Sequence, residues 1–233
     1  MEEKRLVREV YNHSRREFEV RNRNNWARTI HQILSKYALL ELWENEQVIR
    51  NEIGENKSVR QVKAHWMRKI FKKVQEKEEI EWKIEVESKT KLRSYKTIKT
   101  NLKLETYLLT QTNKKGRALL TNLRTGTNRL RIETGRWKKP QESVQDRICM
   151  ACMSGEIEDE KHFLIHCKAY EHLRQKMYQD IKMETSEIWN LKDIDPEKKW
   201  EILLRGTRDK YEMKVFEQVK LFVYKANKFR DRI

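Results

Sequence analysis

The sequence has few residues that interrupt helices: among its 233 residues, 6 are glycine and 2 are proline. This scarcity excludes collagen-like, mucin-like and flexible-linker chains, which depend on Gly, Pro or Ser enrichment, and it favours long helices. No apolar run approaches the roughly 18 residues that a membrane span requires. The first residues, MEEKRLVREV, lack the apolar segment of a secretory signal. We therefore expect a soluble intracellular protein with no membrane partner, in the nucleus or the cytoplasm, and basic clusters favour the nucleus.

Positive charge is concentrated in one part of the sequence. The formal net charge is +16, and residues 141–233 contain 18 Lys/Arg and 18 Asp/Glu, so the whole excess lies in residues 1–140. Within that part, residues 89–140 contain 15 basic residues and only two acidic ones, Glu105 and Glu133. Such a field favours phosphate polymers, because each neutralised phosphate releases condensed counterions. RNA or DNA is therefore the expected partner.

Apolar residues recur at helical spacing along most of the chain, and no long segment alternates with the period of a half-buried strand. This pattern predicts a mainly α protein, with a helical bundle-like region followed by a small metal module and C-terminal helices. Ser58 is expected to cap one helix, Gly126 to end another in a left-handed conformation, and Asp195 before Pro196 to begin a third. Residues 124–140 contain two glycines and three threonines among basic residues. They are predicted to form a basic loop with at most short extended pieces.

All three cysteines lie within one stretch that has the pattern C-x2-C-x9-H-x4-C, formed by Cys149, Cys152, His162 and Cys167. A C-x2-C pair on a tight turn presents two thiolates to one ion, and a distant His/Cys pair completes a tetrahedral shell that suits Zn²⁺. An odd number of cysteines without an export signal argues against a disulfide framework. Buried free cysteines are the competing interpretation, but their clustering favours a closed, structural zinc site.

The fourth ligand is open to two interpretations. On a continuous α-helix, His162 and His166 share a face, whereas His162 and Cys167 are about 140° apart. A helix that breaks before Cys167 gives a Cys-Cys-His-Cys site, and a helix that continues makes His166 the fourth ligand. We favour Cys167, because thiolate is the stronger zinc ligand. The predicted domains are a basic helical region (1–140), a zinc-binding module (141–180) and a C-terminal helical segment (181–233).

The runs LRTGTNRLRIETGRW, RICMAC and EDEKHFLIHCKAY together resemble the C-terminal, zinc-binding region of LINE-type (non-LTR) retrotransposon reverse transcriptases, most specifically over residues 119–174. By position, the three cysteines and His162 match the ligands of that family. The resemblance implies a role in holding template RNA and target DNA during target-primed reverse transcription, with the remainder of a reverse transcriptase as a further partner. No segment resembles the polymerase palm, whose aromatic-x-Asp-Asp motif binds catalytic metal ions, because the chain contains no Asp-Asp pair. By itself, the chain is not expected to be an enzyme.

The basic loop and its neighbourhood supply the candidate nucleic-acid contacts. These are Lys114, Lys115, Arg117, Arg124, Arg129, Arg131, Arg136, Trp137, Lys138 and Lys139. Trp137 is a candidate platform for base stacking, although a tryptophan so close to a zinc core is more often packed. The remaining candidates are expected to present cations to phosphates.

Two other functions compete with nucleic-acid binding. One is a helical protein-interaction scaffold, in which the zinc site only stabilises the fold and the basic surface binds an acidic protein. The other is a remnant restriction-like nuclease that uses Asp180 or Asp195 with Glu197 and Lys199 around Mg²⁺. Glu197 and Lys199 fall in the first turn of a predicted helix, where an acid is expected for dipole reasons, so we assign no catalytic residue.

Overall fold

The computed structural model describes residues 2–44, 57–109 and 112–231, and these residues are mainly helical, which confirms the predicted fold class. The α-helices are α1 (Glu2–Arg21), α2 (Trp26–Lys36), α3 (Glu41–Glu44), α4 (Val59–Ser88), α5 (Arg93–Ile98), α6 (Thr106–Leu109), α7 (Lys114–Thr125), α8 (Arg131–Thr134), α9 (Glu171–Glu184), α10 (Pro196–Arg205) and α11 (Glu212–Arg230). Short 3₁₀ turns occupy Thr90–Leu92, Gly135–Trp137, Lys168–Tyr170 and Leu191–Asp193, and a π-helical turn occupies His162–His166. Across the described ranges, no helix has both the length and the apolar character needed to cross a membrane.

The chain divides into two compact units, Met1–Lys83 and Ile84–Ile233, and the division falls within α4. In the first unit, the indole of Trp43 is a centre of packing. Its ring makes edge contacts with the rings of Phe18 and His31, and its Nε1 donates a hydrogen bond to Glu19. A smaller apolar cluster is formed by Leu39, Leu42, Leu34, Tyr37, Val62, Trp66 and Ile70.

Several helix ends lie where the sequence predicts them, because local hydrogen bonds fix them. Ser58 and Gln61 form a reciprocal cap on α4: the Gln61 amide donates to Ser58 Oγ at 3.4 Å, and the Ser58 amide donates to Gln61 Oε1 at 2.9 Å. Asp195 caps α10 by accepting a hydrogen bond from the Lys198 amide at 3.0 Å. Gly126 ends α7 in the left-handed region, with φ of 63°. These three predictions are confirmed.

The second unit is built around α7 and α11, which lie side by side. Gly116 allows their backbones to approach closely, because a Cβ atom at this position would lie 2.5 Å from the carbonyl oxygen of Lys220. Helix α11 also packs against α9, and its buried apolar face supplies much of the core: Val215, Phe216, Val219, Phe222, Val223 and Ala226. The ring centroid of Phe216 lies 5.5 Å from that of Tyr107, so α6 closes one side of this core.

The division of the chain differs from the boundary expected near residue 140. Residues 84–140 belong to the same compact unit as the cysteine cluster. The physical reason is packing, since Leu120, Leu123 and Leu130 are buried in one core with Phe163, which directly follows a predicted zinc ligand. The charge step near residue 140 therefore describes the composition of the surface and does not mark a gap in the core.

Residues 124–140 also differ from the predicted loop with short extended pieces. They contain two helical turns, α8 and the 3₁₀ turn that follows it. These turns are held against the metal-binding segment by the backbone: the amide of Ile132 donates a hydrogen bond to the carbonyl oxygen of Glu158 at 3.1 Å. Residues 124–140, called the basic segment below, are therefore a structured part of the second unit.

Candidate metal centre

Cys149 and Cys152 lie on a tight turn that is closed by backbone hydrogen bonds. An isolated antiparallel bridge joins Ile148 to Ile157, and the Cys149 amide donates to the carbonyl oxygen of Glu156 at 2.8 Å. At the tip, the amide of Met153 donates to the Cys149 carbonyl oxygen at 3.2 Å, and Met153 adopts a left-handed φ of 49°. This compact turn brings both thiols to the same side, as the C-x2-C spacing predicts.

His162 and Cys167 are brought together by the π-helical turn. The Cys167 amide donates a hydrogen bond to the His162 carbonyl oxygen at 2.7 Å, and Cys167 leaves the helix with ψ of 116°. In a π-helical turn, residue i+5 lies above residue i, so Cys167 lies above His162. The separation of about 140° expected for these two residues applies only to a continuous α-helix. The helix therefore ends before Cys167, as the Cys-Cys-His-Cys interpretation requires. His166 is exposed and lies outside the cluster.

The four donor atoms of Cys149, Cys152, His162 and Cys167 all lie within 4.8 Å of one another. The sulfur atoms of Cys149 and Cys167 are 3.8 Å apart, and Cys152 Sγ lies 3.4 Å from His162 Nε2. Zn–S bonds of about 2.3 Å at tetrahedral angles separate two sulfurs by about 3.8 Å, so the donor set fits zinc. Cys149, His162 and Cys167 are buried and Cys152 is partly exposed, so the cluster could hold a metal ion such as zinc in a largely buried position.

The surroundings of the cluster favour a thiolate at Cys149 and disfavour one at Cys167 in the absence of a metal ion. The pKa of Cys149 is lowered to about 3, and the largest cause is its contact with the Cys167 thiol. Burial raises this pKa, but His162 and the backbone amides of Cys152 and Ala151 lower it further. The contact between the Cys149 and Cys167 thiols also raises the pKa of Cys167. Burial lowers the pKa of His162, but the neighbouring Cys149 and Cys152 outweigh it and raise this pKa to about 9. Because zinc binds thiolates and neutral imidazole, metal binding here would release protons.

Two acidic side chains orient His162. Asp159 Oδ1 accepts a hydrogen bond from the His162 amide at 2.7 Å, so an acid lies at the start of this turn. Glu156 Oε2 lies 2.8 Å from His162 Nδ1, although off the direction of an ideal hydrogen bond. Since Nε2 faces Cys152, this carboxylate holds the opposite ring nitrogen, which is the usual arrangement around a metal-binding histidine. Glu156 was not predicted from the sequence, and its only signal there is its position next to Ile157, which closes the cysteine turn by pairing with Ile148.

Arg174 was also missed, and it completes the end of the π turn. Its side chain is 1% exposed, Nε donates to the carbonyl oxygen of Leu164 at 2.8 Å, and Nη2 donates to that of Cys167 at 2.8 Å. Glu171 pairs with its remaining nitrogen. A wide turn followed by a break leaves carbonyl groups without helical partners, and this guanidinium supplies the missing donors. Nothing in the local sequence distinguishes Arg174 from a surface arginine of an amphipathic helix.

The buried acids Glu158 and Glu160 join the metal segment to the basic segment. Glu158, which is 1% exposed, accepts two hydrogen bonds from Arg230, at 3.0 and 2.9 Å, and a third from the Arg131 amide at 2.8 Å. Glu160, 2% exposed, accepts from Arg93 Nε at 3.0 Å. These paired contacts fix the basic segment beside the centre.

The predicted nucleic-acid contacts fall into two groups. The side chains of the first group form hydrogen bonds or ion pairs with other residues of the protein. Arg124 is 1% exposed, and it pairs with Glu105 at 2.9 Å, so its assignment to the surface is wrong. The reason is a long-range contact: Arg124 also donates to the Leu204 carbonyl oxygen, 80 residues away. Arg131 pairs with Glu142 at 2.8 Å. Three further candidates have internal partners, namely Arg117 with the Leu108 carbonyl oxygen, Arg136 with Glu133 and Thr90, and Lys138 with Glu142.

The second group is exposed. Lys114, Lys115, Arg129 and Lys139 lie at the surface, and none has a carboxylate partner among the residues that the structure describes. Trp137 is 67% exposed, so the expectation that it packs is wrong, and its ring is accessible. Among the residues that the structure describes, eight basic residues of 89–140 have an identified carboxylate within 4.0 Å: Lys89, Arg93, Lys96, Lys99, Arg124, Arg131, Arg136 and Lys138.

The residues of the competing nuclease interpretation do not converge. Asp180 pairs with Lys176, Asp195 caps α10, and Glu197 pairs with Lys161. Within residues 2–44, 57–109 and 112–231, the cysteine cluster is the one group of three or more ligand-type side chains that could hold a metal ion.

Comparison of this chain with protein-family models, with curated proteins and with solved structures finds no match.

Proposed function

We propose that this chain is a zinc-containing nucleic-acid-binding segment of a non-LTR retrotransposon reverse transcriptase, which holds RNA template, target DNA or both and has no polymerase activity of its own. One observation carries the proposal: Arg129 and Lys139, which are exposed and have no carboxylate partner in the described part of the chain, lie with the exposed Trp137 in the basic segment that is fixed to a Cys₃His cluster. The resemblance of residues 119–174 to that family gives independent support. Zinc would act structurally, by holding the two halves of the cluster together.

The connection between the centre and the basic segment supports this function. Arg147, two residues before the first zinc ligand, donates to the carbonyl oxygens of Ile132 and Glu142 at 2.8 Å each, and it is buried. A metal centre that positions Arg147 thereby positions the segment bearing Arg129 and Lys139. Preorganised cations lose less conformational entropy on binding a phosphate backbone than cations on a flexible tail.

Zinc content of the purified chain is the first test. We expect one zinc per chain by elemental mass spectrometry, and loss of the metal in Cys149→Ser and Cys167→Ser. His166→Ala is the matched control, because this neighbouring histidine lies outside the cluster and its replacement should leave the zinc content unchanged. Zinc-free wild-type protein, or loss of zinc in His166→Ala alone, contradicts the assigned ligand set.

Binding of a fluorescent 12-nucleotide oligouridylate tests the second part. The double variant Arg129→Glu and Lys139→Glu reverses two exposed cations and avoids Arg131, whose ion pair has a structural role. We expect clearly weaker binding and a salt dependence reduced by about two phosphate contacts. The control, Lys192→Glu with Lys210→Glu, makes the same charge change at exposed sites in the electrically balanced part of the chain. Equal affinity of both double variants would count against nucleic-acid binding at the basic segment.

A helical interaction scaffold is the second candidate, and the internal pairing of eight cations in residues 89–140 favours it. In that case the basic surface binds an acidic protein. Competition separates the two functions: excess polyglutamate should displace the oligouridylate only weakly if the surface recognises nucleic acid. Polyglutamate that competes as well as unlabelled RNA of equal charge would favour the scaffold.

A further inference from the structure

The second unit contains a cavity of about 320 Å³ between α7, residues 127–130 and α11. Its apolar wall is formed by Leu119, Leu123, Leu130, Phe163 and Val223. This volume lies at the lower end of the range for ligand pockets, roughly 300–1,000 Å³, so it suits a small ligand. The cavity belongs to neither the metal centre nor the predicted phosphate contacts, except for Arg129 at its edge.

Three side-chain amides line this cavity. That of Asn128 is engaged within the protein, because it donates to Glu160 and accepts from the Leu130 amide. Asn227 is half-buried, and its amide has no hydrogen-bond partner among the residues described by the structure. Asn122 is also half-buried; its Oδ1 accepts from the Thr127 hydroxyl at 3.2 Å, which leaves its NH₂ group available. A carboxamide can offer a donor and an acceptor side by side, which matches the hydrogen-bonding edge of a nucleobase. Apolar walls and a few converging polar groups are typical of a binding site.

The charges around the cavity define the class of ligand. Arg129 lines its edge, is exposed, and has no carboxylate partner among the described residues. Arg230 lines it as well, but its charge is engaged by Glu158. On the same pair of helices, the ammonium group of Lys228 lies 4.9 Å from the Tyr224 ring centroid. The pKa of the Tyr224 hydroxyl is lowered mainly by Lys228 and to a smaller extent by Lys115. Cations are thus present on both of the helices that form the cavity, and Arg129 is the exposed one that lines it.

We infer that this cavity binds one unstacked nucleobase of a single-stranded nucleic acid, with Asn227 and Asn122 at the edge of the base and Arg129 at its phosphate. The inference rests on the proposed function, since it specifies how the basic surface engages its ligand. Apolar side chains would contact the faces of the base, as aromatic and apolar groups do in other single-strand sites. Double-stranded nucleic acid does not fit, because its bases are stacked and paired inside the helix.

The test compares two probes on the zinc-loaded full chain: the fluorescent 12-nucleotide oligouridylate and an oligomer of equal length and charge that lacks bases. We expect wild-type protein to bind the intact oligomer roughly tenfold more tightly than the abasic one, as is typical when one base is bound. Asn227→Ala should lower affinity for the intact oligomer about fivefold and leave affinity for the abasic oligomer unchanged. Arg129→Ala should weaken both probes by similar factors.

Gln179→Ala is the matched control, because it removes an exposed amide from the outer face of α9 and should change neither affinity. Asn122→Ala serves as a second pocket variant, and thermal unfolding of each variant confirms that it folds. Equal binding of intact and abasic oligomers by wild type overturns the pocket and leaves the proposed function standing. An Asn227→Ala variant that folds and loses both probes equally also overturns it. Failure to bind either probe refutes the proposed function, and the pocket with it.

Discussion

Replacing Arg174 by methionine tests whether a buried guanidinium supports the metal centre. Methionine keeps an apolar stem of similar length but donates no hydrogen bonds. The change removes the bonds from Arg174 to the carbonyl oxygens of Leu164 and Cys167, both 2.8 Å long and buried. Hydrogen bonds that involve a charged group contribute about 1.5–3 kcal/mol each. We therefore expect the free energy of unfolding to fall by about 3–5 kcal/mol, after some relief from burying one charge fewer.

The measurement is urea unfolding of the zinc-loaded protein, followed by circular dichroism of the helices. Lys176→Met is the control: it lies on the same helix, its side chain is 62% exposed, and it pairs with Asp180 at the surface. Surface ion pairs contribute less than about 1 kcal/mol, so this variant should unfold almost as the wild type does. The slope of the free energy with urea should stay constant in both variants, which would show that the unfolded states are comparable.

Zinc affinity supplies an independent readout for Arg174. Loss of an outer partner of a metal ligand typically lowers affinity about 10–100-fold, and the carbonyl of Cys167 is held by this arginine. We expect Arg174→Met to lie in that range in competition with a chromophoric chelator. The reasoning is refuted if Arg174→Met is less than about 1 kcal/mol less stable than Lys176→Met, because the loss of two buried charged hydrogen bonds should lower the free energy of unfolding by more than that.

Two further predictions concern the acids near the centre. Glu156→Gln should weaken zinc binding about tenfold in the same chelator competition, because this exposed carboxylate supports the His162 ring. The melting temperature of the zinc-saturated protein should change little. Unchanged zinc affinity would show that the contact is incidental. Glu158→Gln should lower the free energy of unfolding by about 3–5 kcal/mol in urea, because it leaves the Arg230 charge without its carboxylate. Glu197→Gln, at a 75% exposed carboxylate, is the control, and an equal loss in both variants would contradict the prediction.

The features that the sequence predicts correctly depend on neighbours in the chain. Ser58 and Asp195 cap helices through amides three residues away, and Gly126 ends a helix through its own backbone freedom. The Cys-Cys-His-Cys set is visible for the same reason, since spacing within one short segment controls which side chains meet. Local rules of this kind need no knowledge of the tertiary fold.

The features that sequence reasoning missed depend on distant contacts. Arg124 looks like its exposed neighbours in the sequence, yet it is buried against Glu105 and the backbone of Leu204. Trp137 was expected to pack because of its proximity to the predicted zinc ligands, yet the fold leaves it exposed. The boundary expected near residue 140 rests on net charge, which is a property of the surface. A compact unit is defined by its core, and the structure divides between Lys83 and Ile84.

Gly116 sets the distance between α7 and α11 at their closest point. It lets α7 and α11 touch backbone to backbone at one end, and the cavity opens between the same two helices further along, near Asn122 and Asn227. The width of the cavity is therefore set in part by a residue that does not line it. A larger side chain at position 116 would push the helices apart at their closest point and reshape the cavity while every lining residue stays the same. Sequence variation that preserves the pocket residues can thus still change which ligands fit.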